Sequence, residues 1–128
     1  MIAMPTGTPK KILAVLQDLF FTVKINEAAK RAGVAVDFVK SETDALDQAA
    51  VGPALIILDL NFAGVDHLKL IRELKSRAAT KNIGLLGYLS HIQGELKQQA
   101  QEAGCDVVLP KSAFSQNLLQ ILKRHAGT

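Results

Sequence analysis

The run Pro53-Ala-Leu-Ile-Ile-Leu-Asp59 constrains this chain most. Leu55 to Leu58 are apolar without interruption, whereas a strand with one face in water alternates apolar and polar residues. A strand of a parallel sheet, covered by helices on both sides, reads as such a continuous run. The run is also far too short to cross a bilayer. Asp59 then closes the strand at its carboxyl end, and Asn61, Ala63 and Gly64 follow in the loop. In open α/β sheets, ligands and chemistry collect in the crevice beyond those carboxyl ends. Taken locally, Asp59 fits equally well as a strand terminator that solvates the loop.

The rest of the chain supplies the helices and neighbouring strands that such a strand requires. Ile12–Leu16 reads as a first strand, followed by Phe21, Ile25, Ala28, Ala29 and Ala32 at helical spacing and by Gly33 where a helix C-cap belongs. Val34–Val39 alternates and is rich in β-branched residues, a second strand. Ser41 or Thr43 caps the next helix, which carries Ala45, Leu46, Ala49 and Ala50 and stops before Gly52-Pro53. After the central strand, a third helix is expected to bury Leu68, Ile71, Leu74 and Ala78. Ile83–Leu89 forms a fourth strand whose Gly84 and Gly87 call for a close approach by a neighbour. Leu96, Ala100 and Ala103 mark a fourth helix ending at Gly104. Val107–Leu109 is a fifth strand stopped by Pro110, and Phe114, Leu118, Ile121 and Leu122 mark the last helix. Lys123, Arg124 and His125 suit the carboxyl end of that helix dipole.

Five strands alternating with five helices predict an α/β fold, a flavodoxin-like (βα)5 three-layer sandwich with a parallel sheet in the order 2-1-3-4-5. Residues 1–9 are expected to form a flexible N-terminal tail and residues 10–126 a single domain. The 128 residues, 48% hydrophobic and 21% charged, suit one soluble domain with a full core. The net charge of +3 is spread over helix faces and aromatics are only 5%, which argues against nucleic-acid binding. Cys105 is the lone cysteine, so no internal disulfide forms. There is neither a membrane-spanning run nor a signal peptide, and the expected location is cytoplasmic.

In this architecture the ends of strands one, three, four and five share one edge. They bring together Leu16, Gln17 and Asp18; Asp59 and Asn61; Leu89, Ser90 and His91; and Pro110, Lys111 and Ser112. Asp59 with Lys111 forms a coherent pair, because a nearby cation favours an ionised carboxylate. A carboxylate can act as a nucleophile towards phosphorus, provided that cations neutralise the phosphoryl oxygens.

On these marks the chain resembles the receiver domain of bacterial response regulators, from Lys10 to His125. The resemblance rests on the run into Asp59, Asn61 two residues on, Ala63-Gly-Val-Asp66 before a helix, Ala103-Gly-Cys-Asp106, and Lys111 after strand five. It implies Asp59 as phospho-acceptor and Lys111 as the lysine that senses the phosphoryl group. It also implies the Asn61 backbone carbonyl as a ligand of Mg2+. The departures are as informative. Leu16 and Gln17 stand where receivers carry an acidic pair, and Asp18 is the nearest acid that could serve the metal, one residue later. The Ser/Thr position at the end of strand four falls on Leu89, and Ser90 takes it only if the strand gains a residue. Val108 stands at the switch aromatic, Ser112 follows the lysine in place of proline, and Ala63 and His67 replace a proline and a glycine. Mg2+ binds mainly through carboxylates, so its affinity is expected to be low.

His67, His91 and Asp59 could form a transition-metal site, but without local ligand spacing the two histidines read as solvated loop residues. Cys105 reads as a small apolar residue beside a strand, and Tyr88 as packing on strand four or as a substitute for the absent aromatic switch. The expected function is that of a stand-alone receiver-like module of a two-component phosphorelay, not an enzyme. Its partners would be a histidine kinase, a phosphotransfer protein or a downstream effector. The resemblance places that contact on helix four, strand five and helix five. The alternatives are a phosphorylation-independent pseudo-receiver, in which Asp59 and Lys111 form only an ion pair, and a small-molecule or metal-dependent enzyme using the same crevice.

Overall fold

The computed structural model describes residues 11–90 and 93–125; the expected tail, Lys10 and His91 lie outside them. Strand β1 (Lys11–Val15) leads to helix α1 (Leu19–Ala32), then β2 (Ala35–Val39) and α2 (Glu42–Ala49). The central run is β3 (Leu55–Asp59), followed by α3 (His67–Ser76), β4 (Gly84–Leu89), α4 (Gly94–Ala103), β5 (Val107–Pro110) and α5 (Lys111–Arg124). All pairings are parallel, in the order β2-β1-β3-β4-β5. The predicted architecture and strand order are therefore the observed ones.

Each strand distributes its side chains between two cores. Leu13, Val15, Ile56, Leu58, Leu85, Leu89 and Val108 pack with α2, α3 and α4. Ile12, Ala14, Leu16, Leu55, Ile57, Leu86 and Tyr88 pack with α1 and α5. All five residues of β3 are buried, which explains its unbroken apolar run. Local signals end the helices where the sequence places them. Gly33 adopts φ 75° at the α1 C-cap, a left-handed conformation that favours glycine, and Ser41 Oγ accepts from the Asp44 N–H at 3.0 Å.

The third helix buries Ile71 and Leu74 as expected, with Leu68 packed partly buried against the same core, and adds His67 and Leu70 to that face. Ala78 is instead exposed, because the helix ends at Ser76. The Asp66 carboxylate caps the helix by accepting from the Lys69 N–H at 3.2 Å. Thr80, buried, donates its hydroxyl to the Leu74 carbonyl at 2.6 Å just past the last turn. At the other end of the sheet, Pro110 pairs with Leu89 in β5 and also caps α5, so that helix starts at Lys111 with no loop between.

The two β4 glycines have different reasons. A Cβ on Gly87 would lie 2.7 Å from Leu60 Cδ1 and 3.0 Å from Leu60 Cγ, whereas a Cβ on Gly84 would meet only Leu55 Cδ1, at 3.5 Å. Leu60 is itself buried and has little room to retreat. Gly87→Ala should therefore destabilise the fold by about 1–3 kcal/mol through overpacking. Gly84→Ala should be close to neutral, both read as urea midpoints; equal losses at the two positions would contradict the Leu60 contact.

Candidate functional site

The carboxyl edge of the sheet gathers Asp59, Asp18, Asn61, Ser90, Lys111 and His67, each placed by a different element. Asp59 is the last residue of β3 and only 5% exposed. By strand alternation it shares the α1/α5 side of the sheet with Leu55 and Ile57, and its register partner on β4 is Tyr88. The Asn61 backbone N–H donates to Asp59 Oδ1 at 3.0 Å. Burial raises the Asp59 pKa, opposed by that hydrogen bond and by the charges of Lys111 and His67, while Asp18 adds to the rise.

Asp18 is committed elsewhere. It is the N-cap of α1, where its Oδ1 accepts from the backbone N–H of Phe20 at 2.8 Å and of Phe21 at 3.4 Å. Of the two residues that replace the expected acidic pair, Leu16 is buried among the α1/α5 core residues and Gln17 is exposed. Among the described residues, no three His, Cys, Asp or Glu side chains come together as a metal site. The donor set therefore does not fit a Mg2+ ion held by a carboxylate cluster: one buried carboxylate remains, with a backbone carbonyl and an exposed amide beside it.

Lys111 lies on the same edge but makes no direct ion pair with Asp59. Asp59 belongs to none of the ion pairs within 4.0 Å among the described residues. Lys111 Nζ instead sits 5.9 Å from the centroid of the Phe21 ring, a cation–π placement. The pair thus interacts through space without direct contact: of the expected ion-pair or water-bridged separation, the direct ion pair is not formed.

Leu89 occupies the end of β4, in unbroken register with β5. Leu89 points into the core, and Ser90 follows in the exposed loop. There the Ser90 N–H and Oγ–H reach Asn61 Oδ1 at 2.7 and 3.2 Å, while Asn61 Nδ2 donates to Gln93 Oε1 at 2.7 Å. The Asn61 side chain therefore ties the loop after β3 to the loop after β4. Gln93 escaped the sequence reading because nothing in its local context reveals a partner 32 residues away.

His67 is not a solvated loop residue. It opens α3, is 6% exposed, and hydrogen-bonds the Phe62 carbonyl through Nε2 at 3.1 Å. Burial lowers its pKa, opposed by that bond and by Asp59 and Asp66. The neutral ring then donates from Nε2 and leaves Nδ1 buried without a partner among the described residues. The transition-metal set needed His91 as well, which lies outside the described residues. Cys105 is buried as expected, its Sγ near the carbonyls of Leu85 and Val107 and its pKa pushed up to about 11 by burial. A cavity of about 420 Å³ lies at the opposite, amino edge of the sheet, lined by Leu55, Gly84, Leu86, Val107, Ile121 and Arg124, and contains none of these groups.

Two outcomes follow from this geometry. Asp18→Ala should cost about 1 kcal/mol through the lost cap, with the same loss in the presence and absence of Mg2+; a loss seen only with Mg2+ would make Asp18 a metal ligand. Because the folded pKa of Asp59 is raised, its contribution to stability is present below its unfolded pKa and is lost as pH rises through the folded value. Asp59→Asn should therefore be more stable than the parent at neutral pH. That advantage should vanish as the pH falls to the ordinary carboxylate range, measured by thermal unfolding across pH.

The chain matches no protein-family model and no curated protein. Solved structures do match it. The phosphorylated cyanobacterial phytochrome response regulator RcpA is 25% identical, with 90% of this chain and 89% of that chain covered at a TM-score of 0.74. A response regulator from Hahella chejuensis is 19% identical, covering 91% and 94%, with a TM-score of 0.81. The receiver domain of the sensor histidine kinase PA1611 from Pseudomonas aeruginosa, described with a magnesium ion coordinated in its active site cleft, is 21% identical. It covers 93% and 98% at a TM-score of 0.77.

Proposed function

We propose that this chain, which has the fold of response regulator receiver domains, is a signalling module of a two-component or phosphorelay system that acts through protein contacts. Asp59 is its phospho-acceptor, and its phosphorylation depends only weakly on Mg2+. The observation that carries this reading is the placement of Asp59: a buried carboxylate ending the central strand, held by the Asn61 N–H and within the field of Lys111. In the transfer, an Asp59 oxygen bonds to phosphorus as the donor's bond to phosphorus breaks and the donor leaves with the electron pair. Lys111, at the first position of α5, is close enough to turn from the Phe21 ring towards the new negative charge. The helix N-terminus beneath it favours the same charge.

The partners that fit are a histidine kinase or phosphotransfer protein upstream and an effector protein downstream. Leu19, Phe20 and Val23 support contact with such proteins: they are 76%, 64% and 54% exposed, side by side on the first turns of α1 and beside the crevice. No helix among the described residues is long and apolar enough to cross a membrane. A second reading, a module that binds its partners without phosphorylation, is favoured by the incomplete donor set and by Lys111 resting on Phe21.

Incubation with acetyl phosphate, followed by intact-mass measurement, separates the two. The parent should gain one phosphoryl group slowly and with little response to Mg2+, and Asp59→Asn should gain none. Leu16→Asp with Gln17→Asp should restore strong Mg2+ dependence. In that variant Mg2+ at a hundredfold excess over its Kd should raise folding stability by about 2.7 kcal/mol, against almost none in the parent. No phosphoryl gain in the parent at any Mg2+ concentration would leave the phosphorylation-independent reading.

A further inference from the structure

Tyr88 is fully buried, and its hydroxyl has no hydrogen-bond partner among the described residues. A buried donor without an acceptor is costly and uncommon in a folded chain. Its surroundings show what it faces. Tyr88 is the register partner of Asp59 and lies on the same side of the sheet. Its ring is stacked on Phe114 of α5 at 4.5 Å and 9°, and tilted against Phe21 of α1 at 4.9 Å. Burial and then the charges of Asp59 and Asp18 raise the pKa of its phenol, so it stays protonated and can only donate to a new negative oxygen at the site.

The other mobile polar group of the site acts on the same ring. Lys111 Nζ rests over Phe21, and Phe21 in turn touches Phe20 edge-on at 5.5 Å. Phe20 is exposed and carries Lys24 above its ring. On the opposite side of the sheet, Leu89 and Val108 are buried apolar side chains and offer no polar group to a ligand at Asp59.

We propose that an occupant of Asp59 is read on the α1/α5 side of the sheet, with Tyr88 as the positioning residue that donates to it and Phe21 as the link to the exposed start of α1. This rests on Asp59 as phospho-acceptor and adds the route by which its state is reported. A ligand shifts an equilibrium only by making different contacts in the two states. The differing contacts are the Tyr88 hydroxyl, unpartnered before and donating after, and Lys111, on Phe21 before and on the phosphoryl oxygens after. Both changes bear on the aromatic stack of Phe21, Tyr88 and Phe114, which holds α1 against α5. α4 and β5 receive neither.

The chain contains one tyrosine and no tryptophan, so its near-ultraviolet tyrosine absorption reports on Tyr88 alone. Beryllofluoride with millimolar Mg2+ serves as the phosphoryl mimic, its bound state followed by the fluoride resonance. On binding, the tyrosine band should shift as the phenol becomes a donor, and amide shifts should gather on Leu19–Ile25 and Lys111–Leu118 rather than on Gly94–Ala103. Tyr88→Phe removes only a hydroxyl that has no partner, so the fold should persist. It should need more beryllofluoride to saturate, and at saturation its α1 and α5 amides should no longer follow. A bound mimic with an unmoved tyrosine band, with shifts running through α4 and β5, or with the same α1 shifts in Tyr88→Phe would overturn the inference and leave the acceptor in place. Absence of a bound mimic in the parent would overturn the inference, and, together with no phosphoryl gain from acetyl phosphate, the acceptor as well.

Discussion

Burial of β3 on both faces is the constraint on which the rest of the molecule depends. A strand that carries Leu55, Ile56, Ile57 and Leu58 into two separate cores needs a helical layer on each side, and α1 with α5 and α2 with α3 and α4 provide them. Once those layers are in place, the strand must end in a residue that can leave the apolar interior. Asp59 does so incompletely: it remains 5% exposed, and burial raises its pKa. The crevice is therefore a direct product of the packing that makes the sheet. Its acid is held at the boundary between core and solvent, where the addition or loss of charge changes the energy most.

The aromatic stack belongs to the core on the α1/α5 side of the sheet. After β1 this chain places Leu16, which joins that core. The same core holds three rings: Tyr88 stacks on Phe114, and Phe21 is tilted against both. Mg2+ needs oxygen ligands, and Leu16 offers none. The residue that contributes to the aromatic side of the core is thus one that adds no metal ligand to the crevice.

How much of this was legible varies with the range of the interaction concerned. The strand order, the Gly33 cap, the Ser41 cap and the position of Asp59 at the carboxyl edge all rest on local pattern and general topology, and the chain states them openly. The apolar face of α3 was legible through Ile71 and Leu74, but its end before Ala78 and the histidine in its core position were not. Of the two β4 glycines only Gly87 marks a close approach, by the Leu60 side chain, and nothing in the sequence separates it from Gly84.

The amino-acid sequence by itself determined the periodicities, and with them the sheet, its two helical layers and the set of residues at the crevice. Those depend on contacts within one element, where spacing along the chain is spacing in space. Only the tertiary structure decided what the crevice residues do with one another. Asp18 turned to cap α1, Asn61 latched onto Ser90 and Gln93, Lys111 settled over Phe21, and Tyr88, the register partner of Asp59, was left with a buried hydroxyl that no described residue meets. Each of these except the first joins groups from different elements. Their geometry is set by how the layers pack and by which polar atoms that packing leaves without water, and no pattern along the chain encodes it.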